Sequence, residues 1–401
     1  MKIIDLKCAE IGENLVLRVV TDKGIDGYGQ TEINCKYLKP LVPYYRGLIL
    51  GSDPTDVERT MLRIRNRGGF KPWGKLVSTI EMALWDIAGK NAGVPVYKLL
   101  GGKIRDEVLV YKTGYYIHPS MPHQNPQSAR EWGENIVMIS ELEEGFTMAK
   151  LAFAYHGLWI EGQIKDYSYA PQDWGRMPPK GVMTERGMNY MIEYVDELKG
   201  IIGDRIGLAL DCGPGMMPQD AMKFAKAMEP YNLMWLEDMI TGDYSPSISA
   251  HLYRDLTVST TTPIHTGEQI YLRENMVELI EKQAVNIVGP DPADVGGIAE
   301  LKRIAEYADL HGIAMAPHGT YDGIFGMAAL THVAAAMPQN YIAFEYPQAD
   351  PQWWYDIVDG LEYPIVKNGH IKVSDKPGLG VTFRENAAGK YLSEEDKDFF
   401  R

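Results

Sequence analysis

Residues 206–215, "IGLALDCGPG", decide how the chain is read. Ile206, Leu208, Ala209 and Leu210 make a short apolar run of the kind that forms a parallel strand buried on both faces, and Gly213 and Pro214 break it. Between the run and the break stands a carboxylate, Asp211. Burying an unpaired charge costs several kcal/mol, so Asp211 needs a partner. A turn that it caps or a surface cation is the usual answer for a lone strand-end aspartate. A metal or catalytic site becomes the better answer only if other strands end the same way.

They do. "LMWLEDM" closes an apolar run on Glu237, and "TTPIHTGEQ" carries Glu268 at the end of the next. The spacings, 26 and 31 residues, each fit one strand-loop-helix-loop unit of a parallel α/β fold. "MPQDAMKFAKAMEPY" between the first two reads as a helix opening at Pro218, Gln219 and Asp220, with Met222, Ala225 and Met228 on its apolar side. Three acids at the same end of adjacent parallel strands converge on the carboxyl face of a barrel. They repel one another unless a cation lies between them, and oxygen-only donors suit Mg²⁺ or Mn²⁺ rather than zinc.

The composition of the whole chain is that of a soluble globular protein. Its 401 residues hold one large domain or two ordinary ones, and a net charge of −14 disfavours nucleic acid and anionic membranes as partners. Three scattered cysteines, Cys8, Cys35 and Cys212, build neither a disulfide framework nor a cysteine zinc site. The first residues lack a signal-peptide apolar block and no segment has transmembrane length, so the cytoplasm is the expected location.

The first hundred residues read as an α+β unit. "NLVLRVVTDKGIDGYGQTE" is a hairpin turning at Asp22, Lys23 and Gly24; "STIEMALWDIAGKNAG" is a helix with an apolar stripe of Ile80, Ala83, Leu84 and Ile87, and Ser78 is its candidate cap. From residue 106 strands and helices alternate, with strand candidates near 108–113, 146–153, 206–211, 233–237, 262–267, 285–290, 313–317 and 341–345. Eight such units match a TIM-type barrel. The expected division is therefore a capping domain at 1–105, a barrel at 106–365 and a tail at 366–401 that packs back on the cap. One connection, residues 155–185, is too long for a simple link. Its aromatics (Trp159, Tyr167, Tyr169, Trp174) and cations (Lys165, Arg176, Lys180) suit a lid over a polar ligand as well as they suit a contact between subunits.

These motifs together resemble the enolase superfamily, mandelate racemase/muconate lactonizing enzyme type. "STIEMALWDIAGKNAGVPVYKLLGG" is similar to the junction of its capping domain and barrel. "LALDCG", "MWLEDM" and "HTGEQ" are similar to its three metal-ligand strands, and "VNIVGPDPADVGGI", "MAPHGT" and "YIAFEY" to its last three. The resemblance implies a (β/α)7β modified TIM barrel with an α+β cap, and abstraction of a proton α to a carboxylate beside one Mg²⁺ per subunit. It implies Asp211, Glu237 and Glu268 as metal ligands, His318 as general base and Asp291 as the group that orients it, with Asp294 a neighbouring competitor. It also implies Glu345 as a partner of the substrate carboxylate and homo-oligomers from dimer to octamer.

The second strand departs from one family pattern. Where many members carry Lys-x-Lys, "MAKLAFA" has Lys150 followed by Ala152, so an opposed lysine base is missing. Lys150 then contacts the substrate or forms a buried ion pair. His156, Tyr167 and Arg176 are the candidate substrate contacts from the following segment, with Tyr155 a weaker one. One base suffices for a dehydratase, whereas racemases and epimerases need groups on both faces of the α-carbon. The expected function is therefore a dehydratase of sugar acids, similar to rhamnonate dehydratases. Mannonate dehydratases fit less well, because they carry a histidine where this chain has Gly213. An epimerase or cycloisomerase, and a catalytically silent sugar-acid binder, are the competing readings. In the cap, Arg63, Arg65, Arg67 and Lys71 either bind a second carboxylate or lie in solvent.

Overall fold

Short apolar runs separated by helices line up, in this computed structural model, as a closed ring of parallel strands. The structure describes residues 1–67, 74–114, 126–157, 168–169, 181–240, 248–319, 323–346 and 352–401. The ring comprises β4 (Glu107–Thr113), β5 (Met148–Ala152), β6 (Gly207–Asp211), β7 (Trp235–Glu237), β8 (Ile264–Thr266), β9 (Ile287–Val288), β10 (Ala314–Met315) and β11 (Phe344–Tyr346). Each strand pairs in parallel with the next, β11 pairs with β4, and Ile342 N–H donates to Met315 O at 2.8 Å to close the circle. Each of the eight candidate windows overlaps one of these strands. Several ladders are only two or three residues long because glycine or proline stands beside them: Gly267 and Gly289 follow β8 and β9, and Pro317 follows β10.

The helices outside the ring include α4 (Ala129–Glu141), α5 (Glu185–Ile202), α6 (Pro218–Ala227), α7 (Ala250–Val258), α8 (Val277–Glu281), α9 (Pro292–Val295), α10 (Ile298–Leu310) and α11 (Gly323–Ala336). Inside the ring, Tyr111, Met148, Ala209, Trp235, Ile287 and Ala316 pack together, so the barrel floor is solid and a site can open only at a strand end.

The cap is an antiparallel sheet in the order β1 (Ile3–Ile11), β2 (Asn14–Thr21), β3 (Gly27–Ile33), covered by α1 (Val42–Ile49), α2 (Val57–Arg65) and α3 (Gly74–Ala92). Helix α3 lies almost against the backbone of β3. A Cβ on Gly29 would stand 2.1 Å from Thr79 O, and one on Gly27 2.0 Å from Ala83 O. Ser78 does not cap this helix: buried Leu76 and Val77 extend the apolar face upstream, the helix begins at Gly74, and Ser78 Oγ donates to Gly74 O at 2.7 Å. The tail touches both parts. A hairpin of Val366–Lys367 and His370–Lys372 pairs antiparallel with β4, and Asp396 accepts from Glu10 N–H and from Lys39. Among the described residues no helix is long and apolar enough to cross a membrane.

Candidate active site

The register of the parallel ladder puts acids side by side. Asp211, the last residue of β6, is level with Glu237, the last of β7, and Ala152 of β5 is level with Asp211. The Asp211 and Glu237 side chains are buried at the carboxyl ends of their strands, and Ala152 is half-buried. Lys150, two residues before Ala152 and so on the same face of β5, projects its ammonium among them. Its Nζ lies 2.8 Å from Glu237 Oε1, 3.1 Å from Glu345 Oε1 and 3.6 Å from Asp211 Oδ2. Burial opposes charge on this amine, but Glu237 and Glu345 outweigh it and hold its pKa well above the usual lysine value.

On the other side stands a histidine–carboxylate pair. His318, three residues past β10, places Nδ1 at 2.6 Å from Asp291 Oδ2. A carboxylate only accepts, so Nδ1 carries the proton and Nε2 is the nitrogen presented to the site. That Nε2 lies 3.5 Å from Glu345 Oε2 and 3.6 Å from Glu268 Oε2. Asp291 is fully buried at the N-cap of α9, where its other oxygen accepts from Ala293 N–H at 2.6 Å. Burial lowers the proton affinity of His318, yet Glu268, Glu345 and Asp291 overcome it and raise the pKa well above 6.5. A cation beside Glu268 would offset part of that pull.

His156 joins the same cluster, with Nδ1 3.2 Å from Asp211 Oδ2. Burial would push the Asp211 carboxyl up, but His156, Lys150 and the Gly213 N–H hold it well below the usual carboxylate range. Thus Lys150, His156, Asp211, Glu237, Glu268, His318 and Glu345 share one end of the barrel, with Asp291 directly behind His318.

Matches to known proteins agree with this geometry over both parts of the chain. Residues 9–101 match the N-terminal domain model of mandelate racemase / muconate lactonizing enzyme, and residues 138–387 match the enolase C-terminal domain-like model. The chain belongs to the mandelate racemase/muconate lactonizing enzyme family of the enolase superfamily. It is 31% identical to a D-xylonate dehydratase of Haloferax volcanii, over 96% of this chain and 87% of that protein. It is 30% identical to a D-mannonate dehydratase of Caulobacter vibrioides, over 98% of this chain and 95% of that one. A mandelate racemase/muconate lactonizing enzyme-like protein from Rubrobacter xylanophilus superimposes with a TM-score of 0.81 at 30% identity, covering 98% and 97% of the two chains. An enolase from Agrobacterium radiobacter, solved with bound sodium and L-malate, has a TM-score of 0.77 at 25% identity, covering 97% and 95%.

Enolase-superfamily membership generally goes with Mg²⁺, and the donor set here fits such an ion in chemistry. Asp211, Glu237 and Glu268 offer only carboxylate oxygens, and with Glu345 and Asp291 they outnumber the nearby cationic groups, which calls for further positive charge. As placed, no three His, Cys, Asp or Glu groups among the described residues are close enough together to hold an ion. The Lys150 ammonium lies between two of the three acids instead, so an ion there requires it to move.

Two residues of this family member's site escaped the sequence reading. Trp235 Nε1–H donates to Glu237 Oε2 at 2.9 Å, and His265 stacks on Trp235 with Nδ1 3.3 Å from the same oxygen. The period of a strand would have found Trp235, since residues two apart share a face. Other candidates fall elsewhere. Tyr155 is engaged away from the acids, its hydroxyl meeting Ser168 Oγ at 2.7 Å and donating to Gly181 O at 3.0 Å. Arg65 pairs with Glu300 at 3.4 Å, whereas Arg63, which donates to Leu48 O at 3.2 Å, and Arg67 are exposed. Asp294 faces Lys75 rather than His318. Tyr167 and Arg176, with Trp159, Lys165, Trp174, Lys180 and Lys71, lie outside the described residues.

Proposed function

We propose that this protein is a Mg²⁺-dependent dehydratase of sugar acids, aldonates or aldarates, that yields 2-keto-3-deoxy acids. The observation that carries the reading is a single histidine–carboxylate dyad opposite a strand whose second lysine position is Ala152. Relatives named as D-xylonate, D-galactonate and D-mannonate dehydratases support the substrate class. Asp211, Glu237 and Glu268 would hold the Mg²⁺, which when bound supplies positive charge for the carboxylate end of the substrate.

The chain's own residues do the rest. Nε2 of neutral His318 takes the proton from C2, Asp291 keeps the ring in the Nδ1–H form, and Glu345 and Lys150 bind and orient the acid's oxygens. The C2 electron pair forms the C2–C3 double bond as the C3–O bond breaks. The leaving hydroxyl collects a proton from His318 or His156 and departs as water, and the enol then loses the proton of its C2 hydroxyl and gains one at C3 to become the 2-keto acid. His156 also favours a second reading, since a ring on the Asp211 side could serve an epimerase as the opposing acid. By family analogy the protein assembles as a homo-oligomer, which light scattering tests, and its partner is a small acid.

A screen of sugar acids with Mg²⁺ in D₂O tests the reaction. Dehydration gives a keto acid with deuterium at C3. An inverted C2–D centre without keto acid refutes dehydration and assigns the opposing role to His156.

A further inference from the structure

The cap grips both arms of the dyad. Asp291 is the N-cap of α9, a helix of four residues that cannot hold its own position. The segment that follows is held from outside by one face of α3. Lys75 Nζ binds Asp294 Oδ2 at 2.5 Å, Ser78 Oγ accepts from Gly296 N–H at 3.0 Å, and Glu81 accepts from Ile298 N–H at 2.8 Å and Ala299 N–H at 2.9 Å. Residues 75, 78 and 81 are three apart and share one helix face. The His318 arm is held by β3, where Gln30 Oε1 accepts from Phe325 N–H at 3.1 Å in the first turn of α11, the helix that follows His318. Strand β3 and α3 are locked together through Gly27 and Gly29, and Lys75 also binds Glu32 at the end of β3.

We infer that Lys75 and Ser78 are positioning residues: through them the cap sets the alignment of Asp291 with His318. Neither touches the reacting atoms. Lys75 fixes α9 through Asp294, and Ser78 fixes the glycine pair after it, where both residues have positive φ (Gly296 at 115°, Gly297 at 104°) and the backbone has few restraints of its own. The inference rests on the dyad of the proposed function. Its test is chosen to read the dyad's geometry whatever the substrate proves to be.

The experiment compares the full-length protein with Lys75→Met and Ser78→Ala. The first readout is the downfield proton NMR signal of His318 Nδ1–H, assigned by its loss in His318→Asn. The second is steady-state kinetics on the acid found by the screen. Lys75→Met is expected to shift or broaden the proton signal. It should also lower kcat about 10–100-fold, as outer-sphere partners of a catalytic group do, with KM within about twofold. Ser78→Ala should move both in the same direction by less. If Lys75→Met does not fold because the buried Asp294 carboxylate loses the lysine ammonium, Lys75→Met/Asp294→Asn removes that charge, and it should match Asp294→Asn alone if the two residues act as one unit. An unmoved proton signal or an unchanged kcat in the Lys75 variants, with only a lower melting temperature, overturns the inference and leaves Lys75 a structural ion pair. If wild type turns over no sugar acid, the proposed function fails, while the proton signal still decides the positioning role.

Discussion

Lys150 Nζ donates to Glu237 Oε1 at 2.8 Å while Trp235 Nε1–H holds the other oxygen at 2.9 Å, so both oxygens of the central acid are already bonded. A metal ion must compete with the lysine and benefits from the tryptophan, which fixes the carboxylate's orientation. Chelation should abolish turnover and added Mg²⁺ restore it. In calorimetric titrations Trp235→Phe should weaken Mg²⁺ binding about 10–100-fold, and Glu237→Gln by more. Full activity in a verified metal-free preparation contradicts the assignment.

With Ala152 at the second lysine position and Lys150 held among Glu237, Glu345 and Asp211, no second base stands ready to take over the work of His318. His318→Asn should therefore lose about 10³–10⁴-fold in kcat, the upper part of the general-base range. Asp291→Asn should also be impaired, because an amide can donate to Nδ1 and turn the wrong nitrogen toward the substrate. Near-native rates in His318→Asn would place the base elsewhere, with His156 the next to examine.

His332, in the wholly buried helix α11, stacks on Tyr97 at 5.8 Å, and burial pushes its pKa down to about 4. The unfolded chain binds this proton more readily than the folded one. Its contribution is thus complete above about pH 6.5 and is lost as the pH falls toward 4. The shift corresponds to about 3 kcal/mol over that window. Urea unfolding at a series of pH values should show a shallower acid decline in His332→Gln than in wild type. Parallel curves would mean that the ring is not forced to stay neutral.

Gly29 has no room for a methyl group beside Thr79 O. Gly29→Ala should cost about 1–3 kcal/mol, as overpacking does, and should lower the melting temperature without altering Mg²⁺ affinity. A melting temperature equal to wild type would show that α3 can lift from the sheet.

The barrel was legible because its strands are apolar on both faces and end on charges, which no amphipathic surface element imitates. Asp211, Glu237 and Glu268 stood out for that reason, and the family resemblance supplied His318, Asp291 and Glu345. What could not be read were contacts made across the fold. Lys75 looks like an ordinary helix lysine, and nothing near it in sequence announces Asp294, 219 positions away. His265 lies inside an apolar run where a satisfied core histidine is the default, and only the β7–β8 register, with Glu237 level with His265, brings it beneath the acid. Ser78 misled because a serine before an apolar stripe looks like a helix start, when the stripe in fact begins earlier.

The tail's grip on the cap bears on how the chain is made. Asp396 bonds to Glu10 and Lys39, 386 and 357 positions back, and Gly378 exchanges hydrogen bonds with Val94 and Val96. A ribosome delivers the cap's three strands well before the residues that fasten them, so that surface stands open and wet while the barrel is being made. Contacts of such sequence separation make for slow folding and a long exposure to aggregation. The cap is synthesised ahead of the barrel and finished after it.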